Sequence, residues 1–322
     1  MKKKRILLRC IIVSFLLSFS CGCQGMKVSY EDRFEDYYEE TRLEQGEQEK
    51  GMAENLAVLS EEDDQAFAME SKDYADLLIN DTTNTVITSY HCFDKIYPAS
   101  ITKIMTALLT LENGKLSDEI TLKHDTQVTE DGAVISTLTQ GDTVTVEEVL
   151  KTMLVKSAND CAVILAEYIG GSTEDFVAMM NARAKELGAT HTHFVNPNGL
   201  HDDDHYTTAY DLYLIFKEVV QYDTFVDIVS MKDHTMIYQN RYGKEVYEYM
   251  QSTNHYLLNE YPVPDGVIMY GGKTGTTSMA NSCLILLTEN EQGERFFSLV
   301  LGAKTKEDLY DSMTRLLEKT TN

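Results

Sequence analysis

A serine and a lysine three residues apart are the first pair in this sequence whose types and spacing could do chemistry. Ser100 and Lys103 stand at the start of the apolar run Ile104–Leu109, which is typical of a buried helix. Residues three apart share one face of a helix, so the Lys103 ammonium can reach the Ser100 hydroxyl. Pro98 suits a first helical turn, where the helix dipole favours a developing anion. The pair could therefore form a nucleophile that is activated without histidine.

A second polar pair lies on a short connection between two predicted helices. Ser157 and Asn159 are two residues apart in the segment Lys156–Asp160, so both side chains could face one cleft. Serine and asparagine are common in turns and helix caps, and the pair alone therefore indicates little. The pair is a candidate for the same site only if the fold brings it close to Ser100.

A third polar segment ends a predicted strand. Lys273 would be a fixed cation at the edge of a sheet, and Thr274 would place a hydroxyl beside it. Gly275 would let the backbone approach a ligand closely, and Thr276 follows it. This segment is distant in sequence from the other two, so a shared site requires a fold that joins them.

The elements that must position these residues are strands at both ends of the folded part and helices in its middle. The predicted strands are 74–79, 85–90, 235–238, 246–250, 267–274, 282–288 and 296–303. The predicted helices are 100–113, 146–154, 160–169, 172–187, 208–220 and 306–319. The economical arrangement is an α+β fold of the α/β/α-sandwich type. In it, both ends of the domain form an antiparallel sheet and the helical region is inserted between them.

Length and charge limit the classes of protein that this chain can belong to. The 322 residues, of which 43% are hydrophobic, suffice for one large domain or two smaller ones. The formal net charge of −24 argues against nucleic acid as a partner, because a phosphate backbone would be repelled. It also disfavours an anionic membrane surface, except at the N-terminus. The sequence does not indicate an oligomeric state.

The first residues resemble an export signal. A basic start, an apolar stretch over 6–19 and small residues over 20–23 predict a leader in residues 1–25. A lipid on Cys21 or Cys23, simple cleavage and an uncleaved membrane anchor remain open. In each case we expect the bulk of the protein outside the cytoplasm. Residues 26–65 are acidic and predict a solvated linker, followed by a folded domain over 66–320.

Two other groups of potentially reactive side chains are interpreted as structural and not as functional sites. Three cysteines follow the leader, and their odd number and wide spacing favour buried packing, with one disulfide as the less favoured alternative. They are Cys92, Cys161 and Cys283. The segment His201–His205 has the residue types of a metal site, but adjacent loop residues rarely converge on one ion. We expect no metal and no cofactor.

The three polar segments, in this order and in these contexts, resemble the signature of penicillin-binding proteins and serine β-lactamases. Residues 98–109 are similar to the nucleophile helix of low-molecular-mass D-alanyl-D-alanine carboxypeptidases, the S11 serine peptidases. Phe194–Leu200 and His205–Leu212 resemble segments of that family's helical region. The resemblance spans residues 74–317. It implies a β-lactamase/transpeptidase-like fold with a five-stranded antiparallel sheet, and residues 66–320 would be the catalytic domain.

The resemblance also implies how a peptidoglycan stem peptide would react. Ser100 would attack the carbonyl between the two terminal D-alanines. Lys103 would be the base, its pKa lowered by burial and by neighbouring cations. Ser157 would relay a proton toward the leaving amine, and Asn159 would position Lys103 and the substrate amide.

The same resemblance implies the groups that bind the substrate. Lys273 would bind the terminal carboxylate with help from Thr274, and the backbone N–H groups of Ser100 and Thr276 would form the oxyanion hole. Water would release the acyl-enzyme, whereas a β-lactam antibiotic would stay attached. The family often carries a further β-rich domain after its last helix. Because this sequence stops at Asn322, we expect that domain to be absent and any membrane attachment to come from the N-terminus.

Three alternatives share this scaffold. A transpeptidase or endopeptidase would use the same residues with another acyl acceptor, which the sequence does not specify. A β-lactamase of class A would need a glutamate on a loop after Asn159, and we find no convincing Glu-x-x-x-Asn segment there, so we expect slow β-lactam hydrolysis. A non-catalytic surface lipoprotein is disfavoured because all the key side chains are present.

Overall fold

The computed structural model describes residues 55–60, 74–128, 130 and 132–321. The predicted leader (1–25), most of the predicted linker (26–65) and residues 66–73 of the predicted domain lie outside the described residues. Residues 55–60 fall within the predicted linker, yet they belong to the same compact unit as the rest of the described chain. The Ala57 side chain is fully buried, and its amide donates to the Tyr213 hydroxyl at 2.9 Å. Leu56, Ala57 and Leu59 pack on the core of the folded part, so this compact unit includes residues that precede residue 66.

The described residues contain nine β-strands and seven α-helices. The strands are β1 (Ala75–Asn80), β2 (Thr85–Tyr90), β3 (Glu119–Thr121), β4 (Thr143–Thr145), β5 (Asp233–Gln239), β6 (Glu245–Gln251), β7 (Val267–Thr277), β8 (Asn281–Asn290) and β9 (Arg295–Ala303). The helices are α1 (Lys103–Asn113), α2 (Val146–Val155), α3 (Asn159–Gly170), α4 (Thr173–Glu186), α5 (Ala209–Val219), α6 (Asp223–Val229) and α7 (Lys306–Glu318). Short 3-10 helices at Ala99–Thr102 and Lys319–Thr321 precede α1 and follow α7.

The five-stranded antiparallel sheet has the order β2-β1-β9-β8-β7, so it is built from both ends of the domain as predicted. Successive side chains of a strand point to opposite faces, and both faces of this sheet are buried. Leu77 and Ile79 belong to the core shared with the helical region, whereas Leu78 packs with residues of α7. This confirms the α+β sandwich, with β7 as the edge strand that carries Lys273.

A second sheet of four strands, in the order β3-β4-β5-β6, was predicted only in part. The β5–β6 hairpin matches the prediction, but its junction with β4 is a single pair, Thr143 opposite Gln239. Helix α6 was not predicted either. Such short elements leave no periodic pattern in a sequence, and they form because the surrounding fold supports them.

Several helices begin at capping side chains that the sequence contains. Thr145, Ser172, Thr208 and Thr305 each accept a hydrogen bond from the backbone N–H three residues later, at the starts of α2, α4, α5 and α7. Cys92, Cys161 and Cys283 are buried, as predicted, and they form no disulfide with one another in the residues that the structure describes. No helix in the described part of the chain is long and apolar enough to cross a bilayer.

Candidate active site

Ser100 lies on the 3-10 turn Ala99–Thr102, and α1 begins only at Lys103. The predicted α-helical start at residue 100 is therefore wrong in detail. Ala99 has a φ of 47°, which places a non-glycine residue in the left-handed region and breaks the helix before it reaches Ser100. The i, i+3 contact survives in the 3-10 geometry, because Lys103 Nζ donates to Ser100 Oγ at 2.9 Å.

Lys103 is fully buried, and neutral oxygen atoms surround its ammonium. Besides Ser100 Oγ, Nζ donates to Asn159 Oδ1 at 2.8 Å and to the Asn198 carbonyl at 2.6 Å. Burial holds the pKa of Lys103 well below its ordinary value, and the positive charge of Lys273 lowers it further. The negative charge of Asp160 acts in the opposite direction. Once deprotonated, the amine can keep two of these contacts as a donor and turn its lone pair toward Ser100 Oγ.

Asn159 is the first residue of α3, and its amide group is oriented by one backbone carbonyl. Both its backbone N–H and its Nδ2 donate to the Val134 carbonyl, at 2.8 Å and 3.0 Å. The Nδ2 contact fixes which end of the amide is the acceptor, so Oδ1 points to Lys103. Asn159 thus couples the position of the lysine to the segment that contains Val134.

Lys273 is the second buried cation of the site, with 1% of its side chain exposed. Its Nζ donates to Ser157 Oγ at 3.0 Å and to the Thr274 carbonyl at 2.8 Å. Burial lowers the pKa of Lys273 to about 7. The Thr274 hydroxyl lies 2.5 Å from the hydroxyl of Thr253, which follows β6.

Strand β7 passes directly beside the backbone of Ser100. A Cβ atom on Gly275 would lie 3.0 Å from both Ser100 N and the Pro98 carbonyl oxygen, so the strand could not approach as closely with a larger residue. A cleft of about 460 Å³ opens at this junction. Its lining includes Ser100, Ser157, Asn159, Thr274, Gly275 and Thr276. Lys103 and Lys273 lie buried behind this lining, so the fold brings all eight predicted residues together.

Backbone groups and one side chain at the site were not assigned from the sequence. The carbonyls of Asn198 and Val134 hold Lys103 and Asn159, and Thr253 contacts Thr274. The run Asn196–Gly199 indicates a tight turn, which could have drawn attention to Asn198. The Val134 carbonyl and Thr253 have no signal in sequence, because the fold alone brings them to the site.

The segment His201–His205 does not converge on one point. The His205 ring is buried between Thr102 Oγ1, 2.9 Å from Nε2, and the Val195 N–H, which donates to Nδ1 at 3.2 Å. Burial lowers the pKa of His205 to about 4, so the ring is neutral and Nε2 donates to Thr102. Within the described residues, no three His, Cys, Asp or Glu side chains are arranged to hold a metal ion. His205 instead supports the 3-10 turn that carries Ser100.

The family to which this chain belongs follows from comparison with known proteins. The family model of the S11 peptidases, described as D-alanyl-D-alanine carboxypeptidase, matches residues 60–305, which include all three polar segments. The chain belongs to the S11 peptidase family. This confirms the resemblance that the motifs predicted, and it places the Ser100 cleft within the part of the chain that the family shares.

Individual S11 relatives are similar along the same region. The chain is 34% identical over 248 residues to D-alanyl-D-alanine carboxypeptidase DacF of Bacillus subtilis, covering 75% of this chain and 60% of the relative. It is 31% identical over 251 residues to DacC of Escherichia coli, covering 75% and 59%. A D-alanyl-D-alanine endopeptidase of Escherichia coli is 30% identical over 213 residues, 66% of each chain. The match thus spans about 60% of the length of the first two relatives.

Solved structures agree on the fold of this S11 chain. A serine-to-alanine mutant of the Streptomyces K15 DD-transpeptidase has a TM-score of 0.72 and 24% identity, covering 78% of this chain and 98% of its own. Penicillin-binding protein D2 of Listeria monocytogenes, in a cefotaxime-bound form, has a TM-score of 0.65 and 26% identity with the same coverage. Both neighbours are penicillin-binding DD-peptidases, and their β-lactamase-like fold is the fold predicted for this chain.

Proposed function

We propose that this protein is a serine-type D-alanyl-D-alanine carboxypeptidase, which removes the terminal D-alanine from peptidoglycan stem peptides through an acyl-enzyme on Ser100. The observation that carries the proposal is the three-way contact of the buried Lys103 amine with Ser100, Asn159 and the Asn198 carbonyl. A base must be within hydrogen-bonding reach of the nucleophile and must be able to lose its proton near neutral pH. Lys103 Nζ lies 2.9 Å from Ser100 Oγ, and burial holds the pKa of Lys103 well below its ordinary value, which favours loss of the proton.

Protons move along the hydrogen bonds that Ser100 and Ser157 make with the two lysines. Lys103 takes the proton of Ser100 as Oγ attacks the carbonyl carbon between the two D-alanines. The Ser157 hydroxyl donates its proton to the leaving amine and takes a replacement proton from Lys273 Nζ, which lies 3.0 Å away. The C–N bond breaks, D-alanine leaves and the acyl group stays on Ser100. Water then attacks the ester by the reverse sequence of proton transfers, and the shortened peptide is released.

The charges that develop during the reaction have partners in the cleft. The backbone N–H groups of Ser100 and Thr276 would stabilise the oxyanion, where removal of one such donor in other enzymes costs about 3–4 kcal/mol. Lys273 and Thr274 would bind the carboxylate of the terminal D-alanine. A β-lactam presents the same carbonyl and carboxylate, and it would acylate Ser100 without a departing fragment.

Labelling with a fluorescent penicillin tests this assignment. We expect the wild-type protein to be labelled covalently and to release D-alanine from a D-Ala-D-Ala peptide, and Ser100→Ala to do neither. Ser282→Ala is a matched control, since Ser282 lines the same cleft but lies on β8. Labelling of Ser100→Ala at the wild-type level would refute the assignment of the nucleophile.

A second candidate function on the same site transfers the acyl group to an amine, or cleaves a cross-link between two stem peptides. It is favoured by the similarity to a D-alanyl-D-alanine endopeptidase. Digestion of cross-linked muropeptides distinguishes the two. Release of free D-alanine alone supports the carboxypeptidase, whereas loss of cross-links supports the endopeptidase.

We further infer that the protein acts outside the cytoplasm, as a wall-modifying enzyme must to reach its substrate. The predicted leader over residues 1–25 would export it, and a lipid on Cys21 or Cys23 would anchor it. Fractionation of cells after incorporation of a radioactive fatty acid tests the anchor. Label that persists after both cysteines are replaced by alanine would rule out lipid at these positions.

A further inference from the structure

A short segment at the mouth of the cleft is bonded to the connection that carries Ser157 and Asn159. We call residues 134–137 the strap. Its Val134 carbonyl accepts from Asn159, and the Ser136 N–H and Oγ donate to Asp160, at 2.9 Å and 2.5 Å. The strap is therefore bonded to Asn159, on this connection, and to Asp160, which directly follows it.

Glu248 closes this network from the other side. It lies on β6 with 9% of its surface exposed, and it is outside the residues that line the cleft. Its Oε1 accepts from Lys156 Nζ at 2.5 Å, and its Oε2 accepts from Thr137 N and Oγ1 at 2.9 Å and 2.6 Å. Lys156, which directly precedes Ser157, also donates to the Ile135 carbonyl at 2.7 Å. One carboxylate thus joins Lys156, at the start of the connection, and Thr137 of the strap to a strand of the four-stranded sheet.

The charge on Glu248 is retained despite burial. Burial acts to raise the pKa of Glu248, but the hydrogen bonds from Lys156 and Thr137 outweigh it, and the pKa lies below its ordinary value. The three hydrogen bonds from Lys156 and Thr137 are therefore accepted by an ionised carboxylate, which makes each of them stronger than a neutral hydrogen bond.

The connection needs this support because Ser157 is held in an unfavourable backbone conformation. Its φ is 64°, in the left-handed region that a residue with a side chain rarely adopts. Such a conformation persists only where its surroundings over-determine it. Lys156 on one side of Ser157, and Asn159 with Asp160 on the other, are fixed to the same strap.

We propose that Glu248 is a positioning residue of the acyl-transfer site. Through Lys156 and Thr137 it holds the strap against the connection, and this fixes Ser157 and Asn159 relative to Lys273 and Lys103. The inference rests on the proposed function for its effect on the reaction, but the mechanical link between Glu248 and the connection stands on the contacts alone.

The test replaces the carboxylate by its neutral isostere. In Glu248→Gln one end of the amide is a donor, so it cannot accept from both Lys156 and Thr137. We expect the second-order rate constant for acylation by a fluorescent penicillin to fall about 10- to 100-fold, the size of effect that a shift of about 1 Å produces in a catalytic group. Glu245→Gln is the matched control, because Glu245 is an exposed carboxylate on the same strand that contacts only the Tyr247 hydroxyl among the described residues.

Two further measurements separate positioning from loss of the fold. Circular dichroism at the assay temperature establishes that each variant is folded. Thr137→Val removes the Oγ1 hydrogen bond to Glu248, while it leaves the backbone N–H bond of residue 137 and the Lys156–Glu248 pair intact. If Glu248 acts through Lys156, the acylation rate constant of the double variant Glu248→Gln/Lys156→Met falls by less than the product of the two single-variant fold-changes. A full product would mean that Glu248 acts by another route and would overturn the proposal.

Hydrogen–deuterium exchange provides a readout that does not depend on activity. We expect faster exchange over residues 134–137 and 156–160 in Glu248→Gln than in Glu245→Gln. Unchanged exchange overturns the link. Faster exchange with acylation within twofold of the wild type overturns the positioning role. If the wild type itself is not acylated, the proposed function fails, and exchange alone then decides whether Glu248 holds the connection.

Discussion

Gly199 offers the sharpest test of how the backbone positions Ser100. It has a φ of 83°, and a Cβ atom built on it would lie 1.9 Å from the Ala99 carbonyl oxygen and 2.5 Å from the Ala99 carbonyl carbon. Ala99 is the residue before the nucleophile, and Asn198, the residue before Gly199, supplies a carbonyl to Lys103. The substitution Gly199→Ala therefore forces apart the two backbone segments that carry the nucleophile and a contact of its base.

The size of the effect follows from the geometry. The left-handed conformation alone costs an alanine about 1–2 kcal/mol. Both atoms in the clash belong to backbone, so no rotamer change can relieve it, and the segments must separate by about 1 Å. Overpacking of this kind adds about 1–3 kcal/mol, which gives a total loss of unfolding free energy of about 2–5 kcal/mol. A displacement of about 1 Å at Ser100 also predicts a fall of about 100-fold in acylation.

The assay pairs this variant with Gly243→Ala. Gly243 has a φ of 73° in the β5–β6 turn, and a Cβ there would meet nothing within 4 Å. It therefore carries the conformational cost without the clash. Urea denaturation gives the difference in unfolding free energy between the two variants, and penicillin acylation gives the effect on the site. If Gly199→Ala is no less stable than Gly243→Ala and is acylated within threefold of the wild type, the close approach to Ala99 does not position Ser100.

The remaining predictions concern Lys273 and pH. With its pKa at about 7, Lys273 loses its charge as the pH rises through neutrality, so KM for a D-Ala-D-Ala peptide should increase above pH 7, whereas KM for the C-terminally amidated peptide should not. Because the unfolded state keeps its proton up to about pH 10.5, unfolding free energy should rise between these values, by on the order of 5 kcal/mol for this group. Chemical denaturation across this range should show a smaller rise in Lys273→Met, and an equal rise would refute the burial of a titrating ammonium.

The spacing of side chains indicated which residues the fold would bring together, but the backbone determines how they meet. The i, i+3 relation of Ser100 and Lys103 is visible in sequence, whereas the 3-10 turn is not, because it depends on the φ of Ala99 and on the approach of Gly199. The Val134 carbonyl that orients Asn159 belongs to a residue whose side chain has no part in the contact. Any residue type could supply that oxygen, so no pattern could indicate it.

The fold was predictable where elements are long and periodic. The strands β1 and β9 pair over six residues, and their short runs of apolar side chains were sufficient to predict both strands from the sequence. The short strands β3 and β4 and the helix α6 lack that length, so their place depends on long-range packing. The apolar residues around Ala57 were missed for another reason: they sit among acidic residues, whose density dominates any local average of hydropathy.

The hydrogen-bond partners of the two buried lysines suit the acyl transfer that we propose for this site. Within the described chain, neither Lys103 nor Lys273 has a carboxylate within 4 Å, although the protein carries a formal net charge of −24. A carboxylate beside Lys103 would raise its pKa and keep the proton on the amine. Neutral oxygens from Ser100, Asn159 and Asn198 solvate the ammonium without that penalty, so the proton can leave when Ser100 attacks. A carboxylate beside Lys273 would likewise occupy the charge that the C-terminus of the substrate requires. The exposed acidic groups cannot replace such a partner, because salt screens exposed charges over about 8–10 Å.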